Sequence, residues 1–95
     1  MEMSTSGSKI IITGNIKSIG DFQNIKKEID AIIANYKTIS LEIIDSLSIT
    51  SSVIGYLNKL VLKDGIAISI RAGSPQLIEL LDDLNLTETL KASRI

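Results

Sequence analysis

The sequence predicts an α/β fold: a small domain with a mostly parallel sheet of four strands or fewer and its helices packed on one face. Three observations predict it. Ile-rich segments alternate with amphipathic helical patterns in the order strand, helix, strand, helix, strand, helix. The length of 95 residues is that of one domain. Hydrophobic residues make up 44% of the chain with only one Phe and two Tyr, so the material for the core is aliphatic. Each strand-helix-strand unit implies a right-handed crossover between parallel strands.

The elements follow in chain order. Met1 to Ser8 is small and polar and reads as a disordered N-terminal segment, leaving residues 9–95 as the single domain. Lys9-Ile10-Ile11-Ile12-Thr13 is a β-branched run ended by Gly14-Asn15, a buried strand. Ile19, Phe22, Ile25, Ile29, Ile32 and Tyr36 then recur at spacings of three, four and seven, the stripe of an amphipathic helix with Ser18 as its N-cap.

Ile39 to Ile44 reads as the second strand. The polar stretch from Ser48 leads into a second helix, from about Ser52 to Lys63, with Ile54, Leu57, Leu60 and Val61 inside and Asp64-Gly65 as its stop. Ile66 to Ile70 is the third strand. Ser74-Pro75 opens the third helix as N-cap and first helical residue, with Leu77, Ile78, Leu80, Leu81 and Leu84 apolar. Asn85-Leu86 breaks it, and Thr87 to Leu90 adds one turn. The strands show polar alternation only at Glu42 and Ser69, the pattern of a largely covered sheet.

Composition narrows the function. The net charge of −1 and the scattered Lys and Arg argue against a nucleic-acid partner. With no Cys and no His, thiolate metal sites, disulfides, cysteine nucleophiles and the usual general base are all missing. Neither a cofactor nor a metal is expected, and Asp21, Glu42, Asp45 and Asp64 are not spaced to converge on one cation. The N-terminus does not read as a signal peptide, and no apolar run is long enough for direct membrane insertion. A cytoplasmic, non-enzymatic domain that binds another protein is the expectation. Gly14 to Gly20 has too little glycine, and no Lys-Ser/Thr pair, for a phosphate-cradling loop.

The informative segment is Thr50-Ser51-Ser52 ahead of the second helix. Hydroxyl residues there cap a helix. They also sit where a phosphate is well tolerated, on free N–H groups at the positive end of the helix dipole.

The run from Leu41 through Asp45-Ser46, Thr50-Ser51-Ser52 and Val53-Ile54-Gly55 resembles the central motif of STAS domains, the anti-sigma-factor antagonist family. That motif is an apolar strand, a short loop, Asp-Ser-Ser-Gly-Leu-Gly and an apolar helix. Asp64-Gly65, the strand that follows, Ser74-Pro75 and Leu80-Leu81-Asp82-Asp83-Leu84-Asn85-Leu86 are similar to the family in order and spacing, and Gly14-Asn15-Ile16-Lys17 lies where it often has Gly-Glu-Leu-Asp. Thr50, Val53 and Lys17 depart from the motif, standing where the family has Asp, Gly and Asp.

The resemblance implies a protein partner, an anti-sigma factor that is also a serine kinase. It implies phosphorylation of the first Ser of the motif, which is Ser51, with Ser52 and Thr50 as the neighbouring alternatives. It places the partner surface at Ser51, Ser52, Val53 and Asn58. Other members of the family are unphosphorylated accessory or scaffold subunits, for instance beside a transporter ATPase, and that is the alternative expectation.

Overall fold

A computed structural model describes all 95 residues. Five strands, β1 (Glu2–Ser6), β2 (Lys9–Thr13), β3 (Thr38–Ile43), β4 (Ala67–Ala72) and β5 (Ser93–Arg94), form one sheet in the order β1-β2-β3-β4-β5. The helices are α1 (Ile19–Ile33), α2 (Ser51–Leu62) and α3 (Pro75–Asp83). β1 is antiparallel to β2, and every other pairing is parallel.

The sheet is therefore α/β and mostly parallel, as expected, but it has five strands rather than four or fewer. Both additions are edge strands with few apolar residues, which hydropathy does not reveal. The N-terminal segment, expected to be disordered, pairs with β2 along its whole length, from Glu2 opposite Thr13 to Ser6 opposite Lys9. A two-residue turn, Gly7-Ser8, makes this possible. Gly7 has φ 59° and Ser8 lies outside the left-handed region, the arrangement of a type II′ hairpin.

Sequential order explains where the helices go. Each crossover from β2 to β5 advances the sheet in the same direction, and crossovers of one hand then fall on one face. Ile10 and Ile12, Ile39, Leu41 and Ile43, and Ile68, Ile70 and Ala72 point to that face. They share one core with Ile25, Ile29 and Ile32 of α1, Val53, Tyr56, Leu57 and Leu60 of α2, and Leu77 and Leu81 of α3.

The opposite face is bare. Thr38, Ser40 and Glu42 alternate with the core residues of β3, and Ala67, Ser69 and Arg71 with those of β4. The helices lie on one face, as expected, but the sheet is less covered than the strand sequences suggested: outward positions of β3 and β4 are polar or small, and Ile11 of β2 is the apolar residue among them. Glu42 is the centre of the bare face, with Lys9 Nζ at 3.3 Å and Arg71 Nη1 at 3.4 Å.

Helix ends follow their capping residues. Ser18 accepts from Asp21 N, and Asp21 accepts from Ser18 N, a capping box. Ser74 accepts from Leu77 N, with Pro75 beginning α3. Beyond α3, Leu90 N donates to Leu86 O, the single further turn that was expected.

Candidate functional site

The loop from Ile44 to Thr50 leaves the C-terminal end of β3 and enters α2. Crevices outside the carboxyl ends of parallel strands are where open α/β sheets hold ligands. Here two loops are stapled together side by side. Gly14 N donates to Asp45 Oδ1 at 2.7 Å, Ile16 N to Ser46 Oγ at 3.0 Å, and Leu47 N to Asn15 Oδ1 at 3.0 Å. Ser46 is wholly buried and spends its own proton on Ser48 O at 2.6 Å. The loop ahead of α2 is thereby held by the loop ahead of α1.

Of the three hydroxyl residues, Thr50 alone caps the helix: its Oγ1 accepts from Val53 N at 3.3 Å. Ser51 and Ser52 are the first two helical residues and are exposed. Their side chains make no hydrogen bond to the rest of the chain, and neither do their backbone N–H groups, which lie before the first helical repeat.

Val53 is a correction. It was placed on the partner surface by position in the motif, but it is 1% exposed and lies on the inward stripe with Tyr56, Leu57 and Leu60. The reason is helical phase: Val53 is four residues before Leu57 and seven before Leu60, so its side chain joins theirs. Asn58 is half-buried, and its Oδ1 is buried with no hydrogen-bond partner. Ser51, Gly55, Asn58 and Leu62 follow one another at spacings of four and three along α2, with Asn58 half-buried between exposed neighbours. Leu62 is 73% exposed.

Sequence reasoning missed the apolar rim beside this helix. Ile19, expected on the inward stripe, is instead 76% exposed as the first residue of α1, ahead of the buried Ile25, Ile29 and Ile32, and Leu47 and Ile44 are exposed in the stapled loop. Ile44 and Leu47 border a surface groove of about 420 Å³ completed by Asp45 and by Gly73, Ser74, Pro75 and Gln76 ahead of α3. Leu47 sits between polar residues outside any periodic stripe, and that was the available signal. A second hollow, lined only by Asp82, Asn85, Thr87, Glu88 and Thr89, lies beyond α3 and away from these serines.

No side chain hydrogen-bonds the Ser51 hydroxyl, so nothing in place draws off its proton. The acidic residues are engaged separately. Asp21 closes the α1 capping box, where the Lys17 amide foremost holds its carboxyl below the usual range. Asp64 pairs with Lys59 at 3.7 Å, Glu42 lies on the bare face, and Asp45 serves as a staple. No group of three or more carboxylates converges as a metal site would require.

Between α1 and α2, Asp30 takes a hydrogen bond from Lys26 Nζ at 2.7 Å and another from the Tyr56 hydroxyl. These hold the Asp30 carboxyl below its ordinary value, Lys26 contributing most. Burial, with Asp30 beside it, pushes the Tyr56 phenol well up. Phe22 meets the Tyr56 ring edge-on at 6.1 Å, and Lys26 lies over that ring at 5.3 Å. The cluster fixes α2 against α1.

No family model, no curated protein and no solved structure matches this chain. No helix is long and apolar enough to cross a membrane.

Proposed function

We propose that the chain is a protein-binding regulatory domain of the STAS kind, which docks a partner through the first turn of α2 and the neighbouring rim and is switched by phosphorylation of Ser51. The observation that carries the proposal is the division of labour among the three hydroxyls. Thr50 provides the cap, so Ser51 has no structural task, yet it stands exposed at the helix N-terminus. Val53 supports access as well. Its bulk points into the core and leaves the approach to Ser51 open.

The chemistry is that of a binding surface without catalysis. A phosphoserine brings about −1.5 to −2 charge, and at this position free N–H groups and the helix dipole tolerate it. The domain stays folded while the surface a partner meets becomes a bulky dianion. A loss of about 2.8 kcal/mol of binding weakens affinity roughly a hundredfold, which suffices for a switch. In the cytoplasm the partner would be an anti-sigma factor with serine-kinase activity.

The second reading is a constitutive accessory or scaffold subunit. Exposed Ile19, Leu47 and Leu62 favour it, since permanent interfaces bury apolar side chains. Mass spectrometry of the protein from its own host, with and without the candidate kinase, separates the two. Phosphate on Ser51, and a Ser51→Glu variant that melts normally but loses its partner about a hundredfold, supports the switch. Phosphate on Ser52 or Thr50 moves the acceptor. No phosphate under any condition, with the partner retained by Ser51→Glu, leaves the subunit.

A further inference from the structure

The two edges of the sheet are unlike. β5 is only two residues long and carries Arg94, and Ile95 N adds one more ladder bond to Ala72 O at 3.1 Å, so that edge is short. β1 is five residues long, has no Pro, Lys or Arg, and keeps an unbroken register with β2, so no bulge twists it away. Edges of this length are normally protected by such devices, because unpaired N–H and C=O groups template pairing with another chain.

The hairpin fixes which groups are unpaired. In a two-residue hairpin the residues flanking the turn form a hydrogen-bonded pair. Ser6 and Lys9 flank Gly7-Ser8, so Ser6, Ser4 and Glu2 direct their backbone groups at β2. Met3 and Thr5 direct theirs outward.

We propose that β1 pairs antiparallel with β1 of a second copy, about a two-fold axis at Ser4, to make one continuous sheet across a homodimer. The phase is self-complementary. Met3 falls opposite Thr5 of the second copy, and each such pair exchanges both of its N–H···O bonds. Ser4 faces Ser4 of the second copy in the closer, non-hydrogen-bonded position. Glu2, the only charge on the strand, falls opposite Ser6 of the second copy, and the two Glu2 carboxylates end up at opposite ends of the seam. On the helix side, partly buried Met3 gains cover. The two-fold contact uses up both β1 edges, and the two-residue β5 at each outer end leaves little to pair, so association closes at two copies instead of growing into a fibre.

The chain has no cysteine, so a single introduced thiol reports the register. Under mild oxidation, Ser4→Cys forms a disulfide-linked dimer readily. Ser6→Cys does not, because the two Ser6 positions are four residues out of register, roughly 13 Å apart at about 3.4 Å per residue. Sedimentation equilibrium of the unmodified protein shows a reversible monomer–dimer equilibrium with concentration. Thr5→Pro, which removes an outward N–H and no bond to β2, shifts it at least tenfold toward monomer with unchanged circular dichroism. Thr5→Ala, which loses only the 3.2 Å bond from the Thr5 hydroxyl to Glu28, does not shift it. Monomer at every concentration, equal cross-linking of Ser4→Cys and Ser6→Cys, or a dimer indifferent to a well-folded Thr5→Pro overturns the proposal. A monomer whose β1 instead takes up an extended peptide overturns it too, in favour of a heterologous strand.

Discussion

The carbonyl oxygen of Ile44 occupies the space where a side chain at Gly73 would begin. Gly73 N donates to Ile43 O at 2.9 Å, which draws the loop after β4 onto the end of β3. The approach is backbone to backbone, and no side chain can swing aside to relieve it. Gly73→Ala should therefore destabilise the domain by about 1–3 kcal/mol, the range for overpacking a close contact. Urea titration checks it. A loss under about 0.5 kcal/mol would mean that the two loops separate at little cost.

Gly55 is the contrasting case. It lies inside α2, and an added Cβ there would meet nothing within 4 Å. Gly costs a helix interior about 0.5–1 kcal/mol relative to Ala, so Gly55→Ala should raise stability by about that much. If a partner packs on this side of α2, the same variant binds it more weakly while melting higher. Calorimetric melting and partner titration read the two effects separately.

The hydroxyls ahead of α2 should separate cleanly in stability. Thr50→Ala removes the cap and should cost about 1 kcal/mol. Ser51→Ala and Ser52→Ala should each stay within about 0.5 kcal/mol of the parent, as exposed residues without partners do. Denaturant midpoints of the three variants decide it. A large loss at Ser51 would give that hydroxyl a structural task and weaken its case as a free acceptor.

Ser46 offers a test of the stapled loops. Ser46→Ala leaves the Ile16 N–H and the Ser48 carbonyl without their partner, in a place closed to water. The expected loss is about 1–3 kcal/mol. Amide exchange at Ile16 should quicken by more than at Leu47, whose bond to Asn15 is untouched.

Acid should weaken the joint between α1 and α2. Lys26, and then Tyr56, hold the folded Asp30 carboxyl below its unfolded value of about 3.9. A depressed folded value means the joint contributes fully above the unfolded pKa and is lost as pH falls through the folded one. The pair is half exposed, so screening keeps the contribution small. Tyr56→Phe should move the Asp30 titration upward, read at its carboxyl carbon by NMR. An unmoved titration would show that Lys26 alone sets it.

What was legible in the sequence was whatever a single segment decides by itself. Ser18 and the Ser74-Pro75 pair mark helix starts because capping is local chemistry, and Ile10 to Ile12 reads as strand because β-branched runs are scarce elsewhere. β1 was illegible for the opposite reason. Glu2 to Ser6 has little burial of its own to offer and becomes a strand only through the turn at Gly7 and pairing with Ile10 to Ile12. The bare face was legible but misread: Ser40 and Glu42 in β3 and Ser69 and Arg71 in β4 already alternate with buried residues. At the candidate site, three adjacent hydroxyls cannot reveal which one caps. That depends on where the helix begins, and Val53 turns inward for the same reason.

The sequential strand order also bears on how the chain reaches this fold. From β2 to β5 each strand lies beside the next one in the chain, so every parallel pairing closes a loop of only one helix and its turns. Closing short loops costs little chain entropy, and folds dominated by near-neighbour contacts cross their folding barrier faster than those that must bring distant segments together. β2, α1 and β3 can condense first as a unit, and each later helix and strand then finds a formed edge to join. The domain should fold quickly for one built on a parallel sheet, with β1 free to zip onto β2 without passing through the rest of the chain.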